Sequence, residues 1–139
     1  MNKVDEVFAH WRDTGTALNN GATQAQLHDL EALLGGSLPE DVRAFYTRAN
    51  GMPDDSSDPH MVCFWPIAKI RAEAEAQKII GVAFADFSID AHRFIYRNTK
   101  NGFAVFSSNV VPGSDFEEIG SFATFLNFYL TDPDRLKIF

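Results

Sequence analysis

The sequence predicts an α+β domain, on three observations. Apolar residues recur at helical spacing through much of the first 79 positions, strand-length runs of β-branched and aromatic residues follow from residue 80, and helical spacing returns at Ser121. The expected sheet is antiparallel or mixed, with strands at about 62–65, 80–85, 92–97 and 102–107 flanked by N-terminal, middle and C-terminal helices.

Each element has a local cause. Val4, Val7, Phe8 and Trp11 fall at i, i+3, i+4 and i+7, which predicts an amphipathic helix over 2–13. Thr23 followed by Gln26 has the form of a capping box. Leu27, Leu30, Leu33 and Leu34 then give an apolar stripe that Gly35-Gly36 stops. A third helix is expected with Pro39 in its first turn, where the missing N–H costs nothing. Glu40 and Asp41 favour the positive end of its dipole, Val42, Phe45, Tyr46 and Ala49 form its buried face, and Asn50-Gly51 closes it. The stretch 50–60 reads as a loop, 62–65 as a short strand and 66–79 as a helix. Phe94 and Tyr96 alternate with Ile95 and Arg97, and Asn101-Gly102 is a hairpin signal that pairs 92–97 with 102–107. Phe122, Phe125, Leu126 and Tyr129 return to helical spacing.

The chain has 139 residues, the size of one domain, and 45% of them are apolar, which suffices for a core. A single domain over 1–139 is expected. One cysteine, Cys63, excludes a disulfide framework, and the first residues lack an apolar signal segment, so a cytoplasmic protein is expected. The longest apolar run, 61–68, has eight residues and is far too short to span a membrane. Nineteen acids against twelve bases give a net charge of −7. A field of that sign repels phosphate backbones, so direct nucleic-acid binding is not expected and a basic protein is the favoured partner.

Chemistry-bearing motifs are sparse. His60-x-x-Cys63 has no companion ligands for zinc, and Asp54-Asp55-Ser56-Ser57-Asp58 lacks the glycine and terminal glutamate of a calcium loop. Cys63 lies in Val62-Cys63-Phe64-Trp65, an apolar setting that disfavours a thiolate. No phosphate-cradling glycine loop and no nucleophile elbow is present, so no catalytic residue, metal or cofactor is expected. What remains is charge placement. Ten of the nineteen acids, among them Asp54, Asp55, Asp58, Asp86, Asp90, Asp115, Glu117 and Glu118, fall in three stretches without a base. Brought together they would steer a cationic partner; dispersed they would only confer solubility.

The pattern Leu27…Leu30-Glu31…Leu34-Gly35…Leu38-Pro39-Glu40-Asp41…Phe45-Tyr46…Asn50-Gly51 resembles the N-terminal signature of the SUKH superfamily. Trp65-Pro66-Ile67, Phe84-Ala85-Asp86 with Phe94-Ile95-Tyr96, and Ser121-Phe122…Phe125-Leu126 resemble its later segments, so the likeness spans about 23–130. Related chains often carry a glycine or a second acid between these two strands, and Phe87-Ser88-Ile89-Asp90-Ala91 lacks the glycine.

The resemblance implies an α+β fold and, for bacterial members, a non-enzymatic immunity protein that binds and neutralises a toxin domain, often a nuclease. Fungal members imply an alternative: a regulatory scaffold without a toxin. On the first reading an acidic face meets a basic nuclease cleft. Asp54, Asp55, Asp58, Asp86, Asp90, Asp115, Glu117 and Glu118 are then the candidate partner-binding charges, and Trp65 and Phe87 the candidate aromatic anchors, with core packing as the competing role of Trp65.

Overall fold

The computed structural model describes residues 2–136 except 55, 77–80, 89–91 and 110–115. Its first helix, α1 (Lys3–Thr14), starts where the Asn2 side chain accepts from the Asp5 N–H at 2.9 Å and stops at Gly15 in the left-handed region. Its buried face is Val4, Val7, Phe8 and Trp11, as the spacing requires. α2 (Gln24–Leu34) carries the complete capping box: Gln26 N–H donates to Thr23 Oγ1, and Thr23 N–H to Gln26 Oε1.

α3 (Glu40–Arg48) departs from expectation at both ends. Pro39 is the cap residue and Glu40 the first helical one. Asn50-Gly51 does not close this helix, because Ala49 is already extended. Instead Asn50 Oδ1 accepts from the Ile67 N–H at 2.8 Å, which satisfies an orphan donor at the start of α4 (Ile67–Ala76). Gly51 has φ 69°, and a Cβ there would stand 2.4 Å from the Trp65 carbonyl carbon. Only glycine serves at that crossing.

The strands are β1 (Val62–Phe64), β2 (Val82–Phe87), β3 (His92–Thr99), β4 (Gly102–Asn109) and β5 (Glu117–Gly120). They form one sheet in the order β1-β2-β3-β4-β5, antiparallel at every step. β2 begins two residues after the expected start, and β5 falls where no strand was expected. The β3–β4 turn is Lys100-Asn101, since Thr99 pairs Gly102; the hairpin signal lay one residue late. α5 (Phe122–Thr131) follows β5, capped by Ser121, and a 3-10 turn covers Pro133–Leu136.

One sheet face meets α1, α3 and α5 in an aromatic core. Phe64 packs against Trp11, Phe45, Phe125 and Tyr129, and Phe84 stacks on Tyr96 with centroids 3.7 Å apart. Tyr46 and Tyr96, both wholly buried, share a hydroxyl–hydroxyl hydrogen bond of 3.1 Å. α4 packs on β2 and on α2 over the other face.

A bulge between Ala83 and Ala85 decides which residues of β2 go where. Without it Phe84 and Asp86, two apart, would share a face. With it Phe84 enters the aromatic core while Asp86 pairs with Arg93 on the α4 side. The outer edge of β1 is covered by the preceding loop, through Met52 N–H to Phe64 O at 2.7 Å and Asp58 N–H to Val62 O at 3.0 Å.

Candidate partner-binding surface

Three of the candidate contact residues are interior. Trp65 is wholly buried, so it is a core residue and not a surface anchor. Its indole Nε1 donates to Asp86 Oδ2 at 2.8 Å, and Asp86 is itself only 7% exposed. Lys69 lies 4.7 Å and Arg93 5.2 Å from the indole ring, and Arg93 pairs with Glu73 of α4 at 3.3 Å. Asp86 is therefore held inside by the indole donor, with Arg93 opposite it in the β2–β3 register.

Asp58 is the second correction. It is 4% exposed, and its Oδ1 accepts from the N–H groups of His60 and Val62 at 2.9 Å each. Its Oδ2 accepts from the Tyr129 hydroxyl, which in turn accepts from Trp11 Nε1 at 2.7 Å. Burial pushes the Asp58 carboxyl above its usual range, while the Val62 and His60 N–H groups and the His60 and His10 imidazoles pull it back. This carboxylate ties the acidic loop to α1 and α5. A buried acceptor of three donors cannot also meet a partner.

The exposed members fall in two places. Asp54 is exposed on the loop before β1, and Phe87 is half-buried at the end of β2, its ring 6.0 Å from that of His92. Glu117 and Glu118 are exposed on β5, the opposite edge strand. In the pairing across the sheet, Glu117 faces Ser107, Phe94, Ala85 and finally Phe64. Four inter-strand spacings put those edges roughly 19 Å apart. The described acids thus do not form one patch. Asp55, Asp90 and Asp115 lie outside the described residues.

Sequence reasoning missed Met61. It is 47% exposed, the exposed large apolar side chain among the described residues, and sits at φ 65° directly before β1. Its carbonyl accepts from the N–H of Ser88, which has φ 55°. Two non-glycine residues in the left-handed region thus hold each other at the β1–β2 end of the sheet, beside Phe87. Such conformations persist only where surrounding contacts impose them. Nothing in the local sequence signals this, because the hydrogen bond is made across the sheet.

Burial and the charge of Asp86 push the Cys63 thiol up to about 11, away from thiolate at neutral pH. His60 stacks on His10, with ring centroids 6.0 Å apart. Among the described residues no group of three or more His, Cys, Asp or Glu could hold a metal, and no helix is long and apolar enough to cross a membrane.

A family model, that of the SMI1 / KNR4 family (SUKH-1), matches residues 21–128. The chain belongs to this family. No curated protein matches it. The SUKH-1 match begins after α1 and ends inside α5, so it contains the whole sheet, the Asn50-Gly51 crossing and the Trp65–Asp86 pair. These are structural positions here: one caps α4, one lets two backbones cross, and two satisfy each other inside. Membership is consistent with an immunity or regulatory role exercised through a protein partner.

Proposed function

We propose that this SUKH-1 protein is a non-enzymatic immunity protein that neutralises a toxin domain, a nuclease with a basic cleft, by covering it. Membership over residues 21–128 carries the reading. The engagement of Asp58 and Asp86 in buried hydrogen bonds supports it. On this reading the contact surface is the β1–β2 end, with exposed Asp54 on the loop before β1, exposed Met61 directly before β1 and half-buried Phe87 at the end of β2. Met61 takes the anchoring role that Trp65, being interior, cannot fill. Asp54 supplies attraction to a lysine- and arginine-rich cleft. Glu117 and Glu118 add long-range steering from the far edge.

The test is rescue. The chain is co-expressed with toxin domains encoded beside its gene, and complexes are recovered by affinity capture. Restored growth with a stable complex is expected. Met61→Asp, at an exposed position, should weaken that complex at least about thirtyfold while leaving the melting temperature unchanged. Absence of rescue and of any complex with every neighbouring toxin would overturn the reading in favour of a regulatory scaffold.

A further inference from the structure

α1 lies outside the matched family segment, and it builds a feature unrelated to the surface above. Asp5, Phe8, Ala9 and Arg12 follow one another at helical spacing along one flank of α1, where Phe8, only 8% exposed, shows just an edge between the buried and the solvent-facing sides. With Leu18 of the following connector and Arg48 at the end of α3 they line a groove of about 400 Å3. Its lining is apolar at Phe8, Ala9 and Leu18 and cationic at two guanidiniums. Two of the chain's seven arginines meet here, against one lining acid, in a protein of net charge −7.

The two arginines differ in how they are held. Arg48 donates to Asp5 at 2.8 Å and lies 4.3 Å over the Phe8 ring, so its guanidinium is fixed in place. Arg12 meets only its chain neighbour Asp13, at 3.4 and 3.5 Å, with side chains 77% and 72% exposed. A pair that long and that exposed contributes little, so the Arg12 donors are available to a competing carboxylate.

We infer that this groove binds a small amphipathic carboxylate, its apolar body on Ala9, Leu18 and the exposed edge of Phe8 and its charge on Arg12 and Arg48. The chemistry fits: a guanidinium offers parallel N–H donors to the two carboxylate oxygens, and an apolar floor of this size suits a medium-chain or aryl tail. The inference is independent of the proposed toxin partner, since it uses neither the β1–β2 end nor β5, and either can fail alone.

The test is an NMR titration of the full chain with octanoate, with octanol as the uncharged counterpart. Saturable amide shifts confined to 5–18 and Arg48 are expected, with octanol at least about tenfold weaker. Arg12→Gln, at an exposed position, should weaken octanoate about tenfold with no change in melting temperature. Three results would overturn the inference: shifts centred elsewhere or never saturating, octanol binding as well as octanoate, or Arg12→Gln binding as well as the parent. A short peptide, acetyl-Glu-Phe-Leu-amide, completes the series. Binding much tighter than octanoate would also overturn it, by assigning the groove to a protein segment.

Discussion

At the scale of single residues, the hydroxyl of Tyr129 has the most to lose. It accepts from Trp11 and donates to Asp58, so Tyr129→Phe leaves two buried polar groups without their partner. A loss of about 2–4 kcal/mol in urea unfolding is expected, against well under 1 kcal/mol for a solvent-facing tyrosine. Trp65→Phe keeps an aromatic ring but strips Asp86 of its indole donor, and about 2 kcal/mol is expected. A double-mutant cycle with Asp86→Ala should show coupling of about 1 kcal/mol or more, and additivity would refute the bond's importance.

Asp58 sets a pH dependence of definite sign. Its carboxyl is raised in the folded state, so the folded chain holds that proton more tightly than the unfolded one. This contribution is fully present below the ordinary carboxylate pKa, about 4, and is lost as pH climbs through the raised folded value. Asp58→Asn removes the ionisation while keeping an acceptor oxygen. The stability of the parent relative to Asp58→Asn should therefore fall as pH rises through that window. A flat difference in urea midpoints would show that the His60, Val62 and Tyr129 donors fully offset burial.

Among the elements, glycines of like φ separate two costs. Gly35 ends α2 at φ 76° with open space where a Cβ would go, so Gly35→Ala should cost only the left-handed penalty, about 1–2 kcal/mol. Gly51 has a similar φ but a backbone crossing 2.4 Å from that Cβ, so Gly51→Ala should cost more than twice as much and loosen the start of α4. Equal melting temperatures for the two variants would contradict the crossing. The same contrast explains what could be read in advance. The α1 stripe, the Thr23–Gln26 box and the α5 stripe depend on residues within a few turns, and all were legible. The role of Asn50-Gly51 depends on Trp65 and Ile67, that of Asp58 on Tyr129, and that of Asp86 on a bulge, each a partner distant in the chain or a backbone irregularity. β5 was hidden because two adjacent acids, Glu117 and Glu118, look like loop when read without the β4 strand that they border.

Across the whole molecule Asp54 and the Glu117–Glu118 pair act from two edges roughly 19 Å apart, beyond the screening distance of about 8 Å at physiological salt. Asp54→Lys and Glu117→Lys/Glu118→Lys should each slow association with a basic partner, and the logarithmic effects should add. Only Asp54→Lys should also speed dissociation, since it adjoins the proposed contact. Stopped-flow rates across a salt series would check both. Faster dissociation on changing the glutamates instead would move the contact to β5.

The loop laid along β1 has a consequence for self-association. The carbonyls of Val62 and Phe64 are already taken by Asp58 and Met52, so that margin offers no template for another chain. Among the described residues the β5 margin carries the exposed carboxylates of Glu117 and Glu118, a defence that acid removes. With one margin occupied by covalently tethered backbone, strand-to-strand stacking in acid stops at a pair joined β5 to β5.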